Sequence, residues 1–235
     1  GEWGAAAEWL SLALPLLEED STPPGALNLS RGRRQLARLA RLRGDAARAE
    51  ELLRLSMQAP LELKEWGQAV IELCSLMLAS GSQVPARATL EAALRLCDEV
   101  SGDDARLLRS GVASQTRAAL KVALADALVG ELDEAARLYL EAAAELREMG
   151  DPLGAARAFL RRAAVGERNL AQLAALGAAG AASDFDVESE ELDGIRAAYL
   201  AAVDAAEAAA ALAESPVGVS LPAAILLARA NEGAS

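Results

Sequence analysis

The 235-residue chain is 53% hydrophobic but only 3% aromatic, with a net charge of -12 and a pI near 4.6. Its apolar content is largely Ala and Leu, the strongest helix formers, and strand formers are scarce, so the chain reads as all-α. The acidity opposes the phosphate attraction on which nucleic-acid binding depends, which excludes nucleic acid as a partner.

Taken in order, the first segment places Trp3, Ala6, Ala7, Leu10, Ala13, Leu14 and Leu17 at helical spacing, so it buries one face, and Pro15 is expected to kink or end it. Residues 21–25 read as a loop by turn chemistry. Ser30 is the expected N-cap of a helix from Arg31 to Arg43, which stops at Gly44-Asp45; the next runs from Ala46 to Met57. An apolar helix follows from Leu63 to Ala79, broken at Gly81, and Pro85 opens another that reaches about Glu99. Ser101 with Asp103 and Asp104 reads as a cap followed by acids over the positive end of a helix dipole, starting a long helix to Val129.

The stretch Leu124 to Leu160 is the clearest in the chain. A helix reaches Gly130, a second runs from Glu131 to Met149, and Gly150-Asp151-Pro152 turns the chain into a third around Arg157. A poorer helix, Asn169 to Ala179, comes next. Residues 181–189 read as an acidic linker, Ser189 as the cap of a long helix to Glu214, and Leu221 to Ala230 as a short closing helix. The expected domains are therefore 1–180, helical repeats, and 190–235, a long C-terminal helix with its short capping helix. The most apolar long run, Ala197 to Ala213, carries Asp204 and Glu207 near its middle, which a membrane span would tolerate poorly.

Gly1, Gly44, Gly81, Gly130 and Gly166 each precede an Ala by five residues: Ala6, Ala49, Ala86, Ala135 and Ala171. In the first four copies Leu10, Leu53, Leu90 or Tyr139 stands nine residues after the Gly, and Ala13, Ser56, Ala93 or Ala142 twelve after it. Self-similarity at periods of about 20 to 50 residues marks a solenoid. The pattern resembles the tetratricopeptide repeat (TPR) in its divergent form, where a Gly ends helix A and small, large and small residues follow in helix B. Helix A of that family offers a Leu followed by a small residue before the Gly; Leu36-Ala37, Leu73-Cys74 and, with a turn two residues shorter, Leu124-Ala125 do so here. The junction LREMGDPLGAARAFL is similar to that of kinesin-light-chain-like proteins, polarity adaptors and the sensor domains of large bacterial transcription activators. The resemblance covers about residues 1 to 180. It implies a right-handed superhelical solenoid of antiparallel helix pairs, with four to five repeats plus C-terminal helices.

The first copy offers a helix B with no helix A before it. A repeat that cannot bury its face alone needs a neighbour, so the chain is expected to be a piece of a longer array or of a multi-subunit complex. Trp3 and Trp9 then form an exposed N-terminal interface covered by another chain, the alternative being a loop that covers them.

No histidine occurs in the chain, which excludes Ser-His-Asp, Cys-His and His-ligated metal chemistry. The glycines form no phosphate-cradling loop. Asp103-Asp104 matches half of the acidic motif of all-α terpene synthases but lacks its third Asp, where Leu107 stands. The acids Asp184, Asp186, Glu188 and Glu190 alternate as in a calcium loop, yet Ser189 and Ile195 replace the Gly and Glu that such a loop requires. No catalytic residue, metal or cofactor is expected. Cys74 and Cys97 lie in apolar helical runs and read as small buried hydrophobes, which points to the cytoplasm or another reducing compartment.

The sharpest functional signal is basic: seven arginines between Arg31 and Arg48 against one acid, Asp45. The TPR resemblance assigns Arg31, Arg34, Arg38 and Arg41 to the concave groove, and their spacing puts all four on one helix face. Guanidinium forks suit carboxylates or phosphates. The competing assignment pairs these arginines with Glu18, Glu19, Asp20, Glu50 or Glu51, or leaves them in solvent. The next groove positions are Gln68, Ile71, Ser75 and Leu78, and Glu72 stands where the carboxylate clamp of some TPR proteins wants Asn. The expected function is a non-enzymatic scaffold or adaptor that binds an acidic or amphipathic segment of a protein partner on its concave face. The rival is a sensor segment of a larger signalling protein such as a bacterial transcription activator.

Overall fold

A computed structural model of the chain describes residues 2–20, 22–58, 63–103, 112–128, 130–178 and 185–213. Nine helices and no strand occur among these residues. They are α1 (Glu2–Glu19), α2 (Pro23–Leu42), α3 (Ala46–Ser56), α4 (Leu63–Ala79), α5 (Gln83–Asp103), α6 (Val112–Ala127), α7 (Leu132–Glu148), α8 (Pro152–Ala178) and α9 (Phe185–Ala213). The chain divides into two compact units, Gly1–Thr116 and Arg117–Ser235.

Three turns share one physical solution. Gly44, Gly81 and Gly150 adopt φ of 82°, 81° and 74°, a region open to Gly because it lacks a Cβ. In each the Gly N–H donates to the carbonyl three residues back, and the next N–H reaches five residues back, from Asp45 to Ala40, Ser82 to Met77 and Asp151 to Leu146 at 2.8–2.9 Å. This is a Schellman-type cap. Such short turns make α2–α3, α4–α5 and α7–α8 antiparallel pairs.

The repeated positions pack as the TPR resemblance implies. Five residues after the glycine, Ala49, Ala86 and Ala135 are buried to 1% exposure or less. Leu53, Leu90 and Tyr139 nine after it, and Ser56, Ala93 and Ala142 twelve after it, are buried too. On the preceding helices Leu36-Ala37, Leu73-Cys74 and Leu124-Ala125 are buried as well. Cys74 and Cys97 are therefore core residues, and burial pushes the Cys74 thiol up to about 11.

Five sequence expectations need correction. The helix of the first segment does not end at Pro15, which lies inside α1 where Leu14 and Leu17 on either side of it pack against Gly32 of α2. The second helix starts at Pro23, eight residues before Arg31: Thr22 is the cap, accepting from the Gly25 N–H at 3.2 Å. Proline suits a first turn, which has no use for its missing N–H. Ser30 lies buried within α2 and donates its hydroxyl to the Ser56 carbonyl at 3.1 Å. Ser101 and Asp103 end α5 and do not begin a helix. No Gly or Pro stands between Pro85 and Gly102 to interrupt the ladder.

The segments around Arg157 and Asn169 are one 27-residue helix that passes straight through Gly166. A Cβ at Gly166 would sit 2.4 Å from Ile195 Cγ1, so this glycine admits α9 and is no repeat turn. Finally, α9 begins at Phe185, four residues before Ser189. The rest of the expected 181–189 linker, and the expected closing helix Leu221–Ala230, lie outside the described residues, as do the side chains of the 184–190 acidic run.

Candidate functional site

The arginine-rich face belongs to unit 1. α2 and α4 carry the expected groove positions, and α3 lies behind them in the pair α2–α3. Arg31, Arg34 and Arg38 recur at spacings of three and four along α2, and Glu65, Gln68 and Glu72 recur at the same spacings along α4. Two stripes with one period on neighbouring helices meet residue for residue.

They meet as an ionic layer. Arg34 donates from Nη1 to Glu65 Oε2 at 2.6 Å, from Nη2 to Gln68 Oε1 at 2.7 Å, and from Nη2 and Nε to Glu72 Oε1 at 3.0 and 3.2 Å. Arg31 grips Glu65 Oε1 through Nη2 and Nε at 2.6 and 3.0 Å. Arg38 grips Glu72 from the far side, at 2.7 Å to Oε1 and 3.2 Å to Oε2. The Arg34 side chain is only 7% exposed and that of Glu65 only 9%, whereas Arg31 and Arg38 are about half exposed. Charges this deep persist because every fork and carboxylate oxygen is engaged. Hydrogen bonds from Arg31, then the nearby charges of Arg31 and Arg34, hold the Glu65 carboxyl below its usual range despite burial.

The arginines thus find carboxylates, and among the acids named from sequence Glu18 accepts from Arg33 Nη2 at 2.8 Å and Glu51 from Arg48 Nη1 at 2.6 Å, while the α4-facing arginines pair with Glu65 and Glu72. Sequence reasoning places Glu72 in the groove but misses it, and Glu65, as partners of the arginines; their spacing relative to Gln68 is the signal that could have found them. Of the α4 groove positions, Gln68 joins Arg34. Ile71 is half-buried, and Ser75 is exposed with its hydroxyl donated to the Ile71 carbonyl of its own helix at 2.8 Å.

Past this layer the face opens into a depression of about 300 Å³ between α2, α3 and α4. Leu42, Leu53 and Leu76 line it, with Arg38, Arg41 and Glu72 at the polar edge. Arg41 is exposed and makes no ion pair among the described residues. The layer sets three guanidiniums against two carboxylates and Arg41 stands beside it, so a basic edge borders an apolar floor in an acidic chain. Trp9, the other expected surface residue, is 73% exposed on α1; the Trp3 side chain lies outside the described residues.

Unit 2 has its own ionic layer, built between α6 and α7. Lys121 Nζ donates to Glu141 Oε2 at 2.7 Å and Glu145 Oε1 at 2.9 Å, and Arg117 Nε to Glu145 Oε2 at 3.2 Å. Buried Tyr139 donates its hydroxyl to Asp126, which also pairs with Arg161. These groups satisfy one another. No helix of the described residues is long and apolar enough to cross a membrane.

No protein-family model matches the chain, and no curated protein matches it. Among solved structures, BtubC (BKLC) from P. vanneervenii superposes with a TM-score of 0.59 at 15% identity, over 98% of this chain and 89% of that one. A signal transduction ATPase with numerous domains from Pyrococcus horikoshii, which carries a tetratricopeptide repeat sensor, is 14% identical over 95% of this chain and 33% of that one, with a TM-score of 0.45. TPR-like repeats of a kinesin light chain from Podosopora anserina are 21% identical over 85% of this chain and 95% of that one, with a TM-score of 0.41. At 15% identity the first of these likenesses carries the fold alone and nothing of partners. With small, large and small positions buried in register and the shared glycine caps, the chain has the all-α fold of the TPR-like repeat proteins.

Proposed function

We propose that the chain is a non-catalytic protein-interaction scaffold, and that the α2–α3–α4 depression receives an apolar segment of a partner protein that ends or is flanked by carboxylates. The observation that carries this reading is the placement of Leu42, Leu53 and Leu76 beside the exposed Arg41, which makes no ion pair among the described residues, and the half-exposed Arg38. Apolar anchors supply affinity, and a charge at the edge supplies orientation and encounter rate. In this reading Arg31 and Arg34 shape the groove through Glu65 and Glu72, while Arg38 and Arg41 meet the partner; Ile71 and Ser75 extend the face along α4. Two buried free thiols suit a reducing compartment.

Arg34 and Arg38 are poor positions to test, since changing them dismantles the ion pairs that join α2 to α4. Arg41 and Leu42, the latter 69% exposed, are better. The full chain should bind a fluorescent peptide of leucines closed by two aspartates and a free carboxylate. Arg41→Glu should weaken binding about tenfold or more, as reversal of an edge charge does, with unchanged helicity. Equal affinity of the variant, or equal binding of the amidated all-Ser peptide, would refute the reading.

A further inference from the structure

Helix α1 is apolar on two separate faces. At 3.6 residues per turn Leu10, Leu14 and Leu17 fall within about 60° of one another; Leu10 and Leu14 pack against the unit 1 core, and Leu14 and Leu17 against Gly32. Trp9, Leu12 and Leu16 fall within about 60° on a different face, and they are 73%, 68% and 70% exposed. A helix with one neighbour among the described residues needs one such stripe; a second one on the outside marks a contact surface.

The arrangement of the outer stripe is self-complementary. Leu12 sits at its middle, Trp9 three residues before and Leu16 four residues after. An antiparallel copy of the same helix, related by a two-fold axis at Leu12, sets Leu12 on Leu12 and each Trp9 on the other copy's Leu16. This is the isologous geometry in which one patch serves both subunits.

Charge follows the same symmetry. α1 ends in Glu18 and Glu19, followed by Asp20, and has no base in its last turn. Its other half lies beside Arg43, which with Gly4, Glu8, Ser11 and Leu12 lines a shallow depression of about 420 Å³. Antiparallel pairing brings Glu18 and Glu19 of each α1 to the side of the other where Arg43 stands with Glu8, whereas parallel pairing would set Glu18 and Glu19 against their own copies with no base in that turn. We propose that α1 is the interface of a two-fold homodimer, with α1 of a second copy packed antiparallel across Leu12.

Sedimentation velocity of the full chain between about 1 and about 100 μM, the range in which small interfaces dissociate, tests this. The mass is expected to rise from monomer to dimer with concentration. Leu12→Glu should leave a monomer throughout, with far-UV helicity unchanged. A residue on the axis meets itself, so Leu12→Cys should form a disulfide-linked dimer under copper-phenanthroline oxidation. Val84→Cys, 79% exposed on α5, should not, and native Cys74 and Cys97 are too buried to interfere. Monomeric wild-type chain across the range, a dimer that survives Leu12→Glu, or equal crosslinking at Val84→Cys would each overturn the proposal.

Discussion

The two units solve one packing problem with different side chains. In unit 1 the core cluster is leucine: Leu36, Leu39, Leu52, Leu53, Leu73 and Leu76, with only Ala37 and Ala49 between them. In unit 2 the main cluster holds nine alanines, on α6 to α9, and only Leu146 and Phe159 are large. Where leucines interdigitate, the space between helices is filled by flexible side chains; where alanines meet, the backbones themselves must come close. The first core is therefore exposed to loss of volume and the second to gain of it.

The chain carries its own reporters for this difference. All three tryptophans, Trp3, Trp9 and Trp66, are in unit 1, and both tyrosines, Tyr139 and Tyr199, are in unit 2. The largest effect is expected from Leu73→Ala, which empties the centre of the unit 1 cluster and should cost about 2–5 kcal/mol. It should appear as a lower urea midpoint in Trp fluorescence. The converse change in unit 2, Ala142→Leu, adds volume where α7 and α8 are in contact and should cost about 1–3 kcal/mol, read in tyrosine fluorescence. Ala142→Leu tolerated at no cost would mean that the alanine core has room, and the contrast between the cores would fail. Gly166→Ala tests the same closeness one step further along. The added Cβ meets Ile195, but alanine's helix propensity returns about 1 kcal/mol, so a net loss near 1 kcal/mol is expected.

The repeat was legible because its signal is steric. Ala49, Ala86 and Ala135 are small and almost fully buried, where a larger side chain would have to displace its neighbours, so their period survives in the sequence. Boundaries read less well. Ser30 and Ser101 have the chemistry of caps, but a cap acts only where the backbone leaves the helix, and local chemistry does not say where that is. Gly166 misled for a related reason: a glycine that ends a helix and one that admits a neighbour look the same until the neighbour is seen. At the candidate site the bases were conspicuous within an acidic chain. Their acids were not, because Glu65 and Glu72 lie 34 residues away from Arg31 and Arg38 among many other carboxylates.

The ionic layers extend the comparison to smaller effects. Glu65→Gln removes one carboxylate from the buried fork of Arg34 while Glu72 and Gln68 remain, which should cost about 1–3 kcal/mol. Because the folded Glu65 carboxyl titrates below its usual 4.5, its contribution is complete above that pH and is lost as pH falls through the lowered value. The wild type should therefore lose stability faster than Glu65→Gln as pH drops below about 4.5, and parallel pH profiles would show that Glu65 is not held low.

Arg137 is the contrasting case on the surface of α7. It pairs with both Glu134 and Glu141, yet its side chain is 54% exposed, and the carboxylates are 42% and 36% exposed. Water and salt compete for every one of these contacts, so Arg137→Gln should cost only about 0.2–1 kcal/mol and nothing measurable in about 1 M salt. Arg34 and Arg137 each have two carboxylates within reach, so the comparison with Glu65→Gln turns chiefly on burial. Equal losses for the two variants, with equal salt dependence, would mean that the α2–α4 layer is no better shielded than an exposed helix face. Its arginines would then be free to exchange Glu65 and Glu72 for a partner's carboxylates.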